Sequence, residues 1–212
     1  LSERNIKLFS EFNLYSNIIR NIELQITIKN SIRQAQQLYM GVSDLIPQIE
    51  ESAKLIIEKL SSGGKLLVMG NGGSAADAQH ITAELVGRFE KDHNPIPAIA
   101  ITTNSSILTA VSNDFGFDDI FLRQAKAFLK PGDVVLAIST SGTSPNINRA
   151  VEYAKSIGVP SVGLSGKDGG QLKDLCEICL IISSGRTCRI QEAHILIGHI
   201  LCELIENHLS QE

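Results

Sequence analysis

No stretch of this 212-residue chain is apolar for long enough to span a bilayer, and its opening residues are too polar for a secretory signal. Positive charge is also in short supply. The chain has 19 Lys and Arg against 23 Asp and Glu, a formal net charge of −4. Proteins built to bind nucleic acid usually carry a basic face, so that class is disfavoured. Cysteine is scarce too. Cys176, Cys179, Cys188 and Cys202 are scattered through apolar segments and make no disulfide framework. Cys176 and Cys179 have C-x-x-C spacing, but no second pair follows and no thioredoxin-like context surrounds them. They read as small apolar residues leading into a strand. These absences point to a reducing compartment and to a protein with neither a membrane nor a nucleic-acid partner. Apolar residues at 43% and charged residues at 20% suffice for a full core.

Residues 1–42 read as an N-terminal helical extension of one or two helices, and 43–212 as a single domain. Within that domain, residues 43–60 form an amphipathic helix whose apolar face includes Leu45, Ile49, Ala53, Ile56 and Leu60. Gly63 and Gly64 follow it, where a C-cap wants left-handed geometry. From there strands alternate with helices. Strands are expected at 65–69, 97–102, 133–139, 161–165 and 178–182. Helices are expected at 75–89, 105–111, 120–129, 146–157, 171–175 and 189–208. The strands are short, apolar and unalternated, as in a parallel sheet covered on both faces. The pattern predicts a doubly wound α/β domain of five parallel strands, with binding at their carboxyl ends.

Two turns stand out. Gly70-Asn71-Gly72-Gly73-Ser74 joins a strand to a helix, and so does Ser139-Thr140-Ser141-Gly142-Thr143-Ser144. Glycines let the backbone approach an anion, and a helix N-terminus favours negative charge. A hydroxyl-rich turn can surround a phosphate without Lys or Arg. One such turn is an ordinary N-cap; two in one alternating pattern point to a phosphorylated ligand. Neither is a nucleotide fingerprint. The first lacks the P-loop Lys, and Ala75 takes the last glycine place of G-x-G-x-x-G.

One turn into the first helix, His80 and Glu84 share a face at i,i+4. They suit a divalent ion or a general base with its partner. The last helix carries Gln191, His194 and His199 among apolar residues. Gln191 and His199 are about 12 Å apart along a continuous helix. Either Gln191 precedes the straight part of that helix, or one of the two acts in a neighbouring subunit. His194 reads as a packed or capping residue, His93 and His208 as solvent histidines. Asn113-Asp114-Phe115-Gly116 reads as a loop between helices, able to bond sugar hydroxyls or simply to turn the chain.

Together these motifs resemble the phosphoheptose isomerases of the sugar isomerase (SIS) domain superfamily. The matching segments are residues 70–74, then Asp77 with His80 and Glu84, then 113–116, 139–144, 166–170 (Gly-Lys-Asp-Gly-Gly) and 189–192. The resemblance covers roughly residues 45–210. It implies a flavodoxin-like sheet and a cytoplasmic homotetramer. The reaction it implies interconverts sedoheptulose 7-phosphate and D-glycero-D-manno-heptose 7-phosphate for activated-heptose glycans such as lipopolysaccharide core or capsule. Ser74, Ser139, Ser141 and Ser144 would hold phosphate, with Thr140 in the same loop. Asn71, Gly72, Gly73, Asn113 and Asp114 would line the sugar site. One zinc per subunit would sit on His80, Glu84, Gln191 and His199. Glu84 is then expected to move the carbon proton and His199 to serve the oxygens. Cys188 stands where many relatives have Asp or Ala, and the N-terminal stretch is longer than typical.

Other readings are a non-catalytic SIS tetramer binding a replication initiator, a sugar-phosphate sensor, or an isomerase of another sugar phosphate. The first lacks equivalents of Glu84 and His199. The second needs a DNA-binding domain, and the N-terminal residues show no helix-turn-helix.

Overall fold

The computed structural model describes residues 3–210. It divides into two units, Leu1–Met40 and Gly41–Glu212. The described residues of the first unit lie in a single helix, α1 (Glu3–Val42). Ile22, Leu24, Ile26, Ile28 and Ile32 on it are exposed.

The second unit opens with a 3-10 turn (Ser43–Leu45) and α2 (Ile46–Ser61), with Pro47 in the first helical turn, where a missing N–H costs nothing. The alternating part is β1 (Leu66–Gly70), α3 (Gly73–Val86), β2 (Ala98–Ala100), α4 (Ser105–Phe115), α5 (Ile120–Phe128), β3 (Val134–Ser139), α6 (Pro145–Ser156), β4 (Ser161–Gly166), α7 (Leu172–Leu175), β5 (Ile178–Ile182) and α8 (Thr187–Leu209). Among the described residues the strands form one sheet of order β2-β1-β3-β4-β5, every pair parallel. This is the flavodoxin-like order, with its switch point between β1 and β3. Every residue of the three central strands is buried, while the edge strands β2 and β5 alternate. That difference explains why the central strands read as unbroken apolar runs.

Several expected boundaries move, each for a local reason. The helix expected to reach residue 89 stops at Val86. Gly87 closes it onto the Ala83 carbonyl, and the next N–H groups find another acceptor. The helix expected to end at 111 runs on to Phe115, where Gly116 at φ 95° stops it. So Asn113 and Asp114 lie on the last helical turn, not in a loop. The strand expected over 97–102 shortens to three residues because Ile101 and Thr102 already turn. No described helix is long and apolar enough to cross a membrane.

Candidate active site

Both singled-out turns leave the sheet at the carboxyl ends of β1 and β3, the strands flanking the switch point. The first is shaped by backbone. Gly72 sits at φ 56°, ψ −121°, a conformation that a side chain would strain. Ser74 follows in the first turn of α3, 3% exposed. A Cβ on Gly73 would lie 2.3 Å from Gln191 Nε2, so that side chain is packed directly on the turn.

The second turn is a hydroxyl network. Ser139 Oγ accepts from Gly142 N at 3.1 Å and lies 3.2 Å from Ser144 Oγ. Ser141 Oγ accepts from Thr143 N and Oγ1 at 3.2 and 3.0 Å. Ser144 occupies the N-cap of α6, yet its hydroxyl makes no capping bond. An ordinary cap would spend that oxygen on its own helix; here it faces Ser139. Thr140 is half-buried beside them. Gly142 (φ 66°) leaves no room for a side chain, since a Cβ would meet the Gly169 carbonyl oxygen at 1.9 Å. The 166–170 segment therefore buttresses the second turn.

The turns are tied together. Asn71 Nδ2 donates to Asn146 Oδ1 and Asn146 Nδ2 to Asn71 Oδ1, both at 2.9 Å. Asn146 is 1% exposed and also accepts from Ile147 N. Its part in the site was not read from the sequence, because its partner is 75 residues away.

The third component lies on α3 and α8. His80 Nε2 is 2.9 Å from Glu84 Oε1 and 3.5 Å from His199 Nε2. The three side chains each offer a ligand atom within 4.8 Å of the others. The rings of His80 and His199 meet edge-on at 4.9 Å, and Phe89 lies 5.7 Å from His199 on its own contact. Close helix packing makes this possible. A Cβ on Gly198 would meet the Ile81 side chain at 2.7 Å, and these two residues adjoin His199 and His80. Two imidazole nitrogens and a carboxylate oxygen converging on one point are a donor set that fits a divalent transition metal. Asp77, one turn before His80, has one buried carboxylate oxygen with no hydrogen-bond partner. Burial pushes its carboxyl above the usual value, against the pull of His80 and His199.

Three expected members, Gln191, Asn113 and Asp114, stand apart from this group. Gln191 and His199 lie on one continuous helix, so the first alternative for their spacing does not hold. Gln191 sits against Gly73, about 10 Å back along α3 from His80. Asn113 and Asp114 are exposed and bond to each other at 2.8 Å; neither bonds to the two turns. His194 is fully buried and donates from Nε2 to the Ser165 carbonyl at 3.0 Å, with burial driving its pKa down to about 4. His93 is not a solvent histidine: its side chain is 2% exposed and lies 3.3 Å from Glu206. Its polar neighbours in sequence hid a long-range carboxylate. His208 is exposed. Cys176 and Cys179 are free thiols packed on Gly163, with pKa values pushed by burial to about 11 and about 12.

A parallel 2-1-3-4-5 sheet with an anion-type turn on each side of its switch point defines the class, and a family model described as the SIS domain matches residues 32–166. The phosphoheptose isomerase of Rhodospirillum rubrum is 47% identical over 182 residues, 86% of this chain and 97% of that protein. That of Citrifermentans bemidjiense is 54% identical over 166 residues, 78% of this chain and 86% of its own. The solved structure of phosphoheptose isomerase GmhA from Neisseria gonorrhoeae superposes with a TM-score of 0.82 at 37% identity, covering 87% of this chain and 99% of that one. The chain belongs to the phosphoheptose isomerases, within the SIS-domain proteins.

Proposed function

We propose that this protein interconverts sedoheptulose 7-phosphate and D-glycero-D-manno-heptose 7-phosphate, supplying activated heptose for surface glycans. The observation that carries this reading is the His80–Glu84–His199 group, its first two members on the helix that leaves the first of two linked anion-type turns and the third on α8. Ser74, Ser139, Ser141 and Ser144 bind the phosphate by hydroxyls, with Thr140 alongside and the N-termini of α3 and α6 supplying positive potential. Asn71, Gly72 and Gly73 line the sugar.

The reaction needs one carbon-bound proton moved between adjacent carbons and one proton moved between their oxygens. Glu84 takes the proton from C1 of the ketose, and the C1–C2 enediol forms. Glu84 returns the proton to C2. His199 takes the O1 proton and delivers one to O2, so the sugar is isomerised with no net loss of atoms or electrons. The Glu84 oxygen beside His80 is held in place, which leaves the other oxygen for proton transfer. His80, Glu84 and His199 would hold a zinc ion, which when bound supplies charge stabilisation for the substrate oxygens. We assign Gln191, Asn113 and Asp114 to sites shared between subunits of a homotetramer in the cytoplasm. Residues 43–212 form the catalytic domain in this reading, and 1–42 extend it.

The test is turnover of sedoheptulose 7-phosphate followed by NMR, with and without chelator. Turnover lost on chelation and restored by zinc supports isomerase and metal together. Turnover indifferent to chelation removes the metal and keeps the acid–base pair. Phosphosugar binding without turnover of this sugar overturns the assignment.

A further inference from the structure

Residues 87–95, just after α3, form neither helix nor strand. Their backbone is held instead by one side chain. The N–H groups of Phe89, Glu90 and Lys91 all donate to the Glu206 carboxylate at 3.0–3.1 Å, Glu90 reaching both oxygens. His93 packs beside it, with Nε2 3.3 Å from Glu206 Oε1 and no hydrogen bond between the two, while its Nδ1 donates to the Asn94 carbonyl. Glu206 is 1% exposed. Burial alone would push its carboxyl up, but the three N–H groups and His93 outweigh this and hold it below the usual range.

A buried carboxylate is an expensive way to stabilise a helix face; an apolar residue there serves packing as well or better. What the carboxylate adds is geometry. It fixes three consecutive residues of an irregular segment in one arrangement, and the first of them, Phe89, lies with its ring 5.7 Å from the His199 ring, tilted by 37°. That separation is within the range of a direct aromatic contact. Glu206 and His199 are seven residues apart on α8, two turns, so they share a face. The same helix therefore carries His199 and the group that holds His199's ring neighbour.

We infer that Glu206 is a positioning residue for His199, acting through the backbone of residues 89–91 and the Phe89 ring. The inference rests on the catalytic role given to His199 above.

The test combines Glu206→Gln, Phe89→Leu and the double variant. Gln keeps the shape of Glu206 but turns an NH₂ toward N–H donors. Glu206→Gln should lower kcat for sedoheptulose 7-phosphate about tenfold and leave KM within about twofold, since the phosphate turns are remote from it. The ring-proton NMR signal of His199, recorded without substrate, should shift as the Phe89 ring moves away. Phe89→Leu should reproduce both effects, and the double variant should be no worse than Phe89→Leu alone. An unmoved His199 signal in Glu206→Gln, or losses that multiply in the double variant, would overturn the inference. If Glu206→Gln does not fold, His93→Gln loosens the same clamp while sparing the backbone bonds. It should shift the His199 signal in the same direction by less, and an unmoved signal there overturns the inference too. A wild-type protein inert toward this sugar defeats the proposed function, while the His199 signal still decides whether Glu206 positions the ring.

Discussion

The two ends of the site are built by opposite rules. At the end proposed to bind phosphate the groups are backbone and short hydroxyls, Ser74 and Ser139 buried and the others half-buried, several bonded to one another and locked by Gly142 and Asn146. At the histidine end they are long side chains, His80 exposed and Glu84 and His199 partly so, held by few bonds. Binding a fixed tetrahedral anion rewards rigidity. Moving protons between two carbons and two oxygens needs side chains that can serve more than one atom. Damage at the first end should therefore appear in KM and stability, and damage at the second in kcat. Each prediction below could break that division.

The largest effect is expected from Glu84→Gln. The amide keeps the shape and the contact with His80 but cannot accept the carbon proton. Steady-state kinetics should show kcat down by about 10³-fold or more with KM changed only about twofold. Thermal unfolding should be nearly unchanged, because Glu84 is partly exposed. A variant that keeps its turnover would remove Glu84 as the base.

Next in size is a pair of alanines, one at each turn. Gly142→Ala puts a Cβ where the Gly169 carbonyl already is, in a left-handed conformation, and should cost about 3 kcal/mol or more in urea unfolding. Gly73→Ala meets only the tip of the Gln191 side chain, which can swing away, and should cost about 1 kcal/mol or less. Equal losses would mean that the two turns are not built differently after all.

Helix α8 carries both kinds of histidine, five residues apart. His199 is partly exposed; His194 is buried with its pKa at about 4. In the unfolded chain His194 has its ordinary value near 6.5, so between about 6.5 and 4 the unfolded state binds a proton that the folded state refuses. Stability is full above this window and is lost as pH falls through it. Between pH 7 and pH 5 the loss should be about 2 kcal/mol. Urea unfolding of wild type and His194→Gln at both pH values checks it: the variant should lose that much less. An identical pH dependence would show that His194 is not the group responsible.

Much of this was legible in the sequence because it is local. The central strands announced themselves as apolar runs since both their faces are covered, and both anion turns fall within six consecutive residues. The His80–Glu84 pair is one helical turn. What escaped reading is long-range. Asn146 looks like an ordinary helix-start residue until Asn71 is brought to it from 75 positions away. His93 sits among polar residues and so reads as solvated, yet Glu206 buries it from the far end of the chain. The end of α3 was overshot for the same reason: residues 87–89 look helical, but the Phe89 N–H is taken by that same carboxylate. The family resemblance put Gln191 with His199 on one ion, whereas their spacing on one helix sets them about 12 Å apart, Gln191 against Gly73 and His199 against His80.

A modest loss tests whether the two turns act as one unit. Asn71 and Asn146 each donate to and accept from the other, and Asn146 also accepts from the Ile147 N–H in the first turn of its helix. Asn146→Ala removes three bonds but leaves a half-buried amide at Asn71 that water can reach, so stability should fall by about 1–2 kcal/mol. With the turns unlinked, Asn71 loses the orientation it needs for the sugar contact proposed above. KM should rise several-fold, by about the worth of one misplaced hydrogen bond, with kcat nearly constant. Asn71→Ala should do the same, and the double variant should add little, because one reciprocal pair is being removed twice. A fall in kcat without a rise in KM would place Asn146 with the histidine end and dissolve the division between the two.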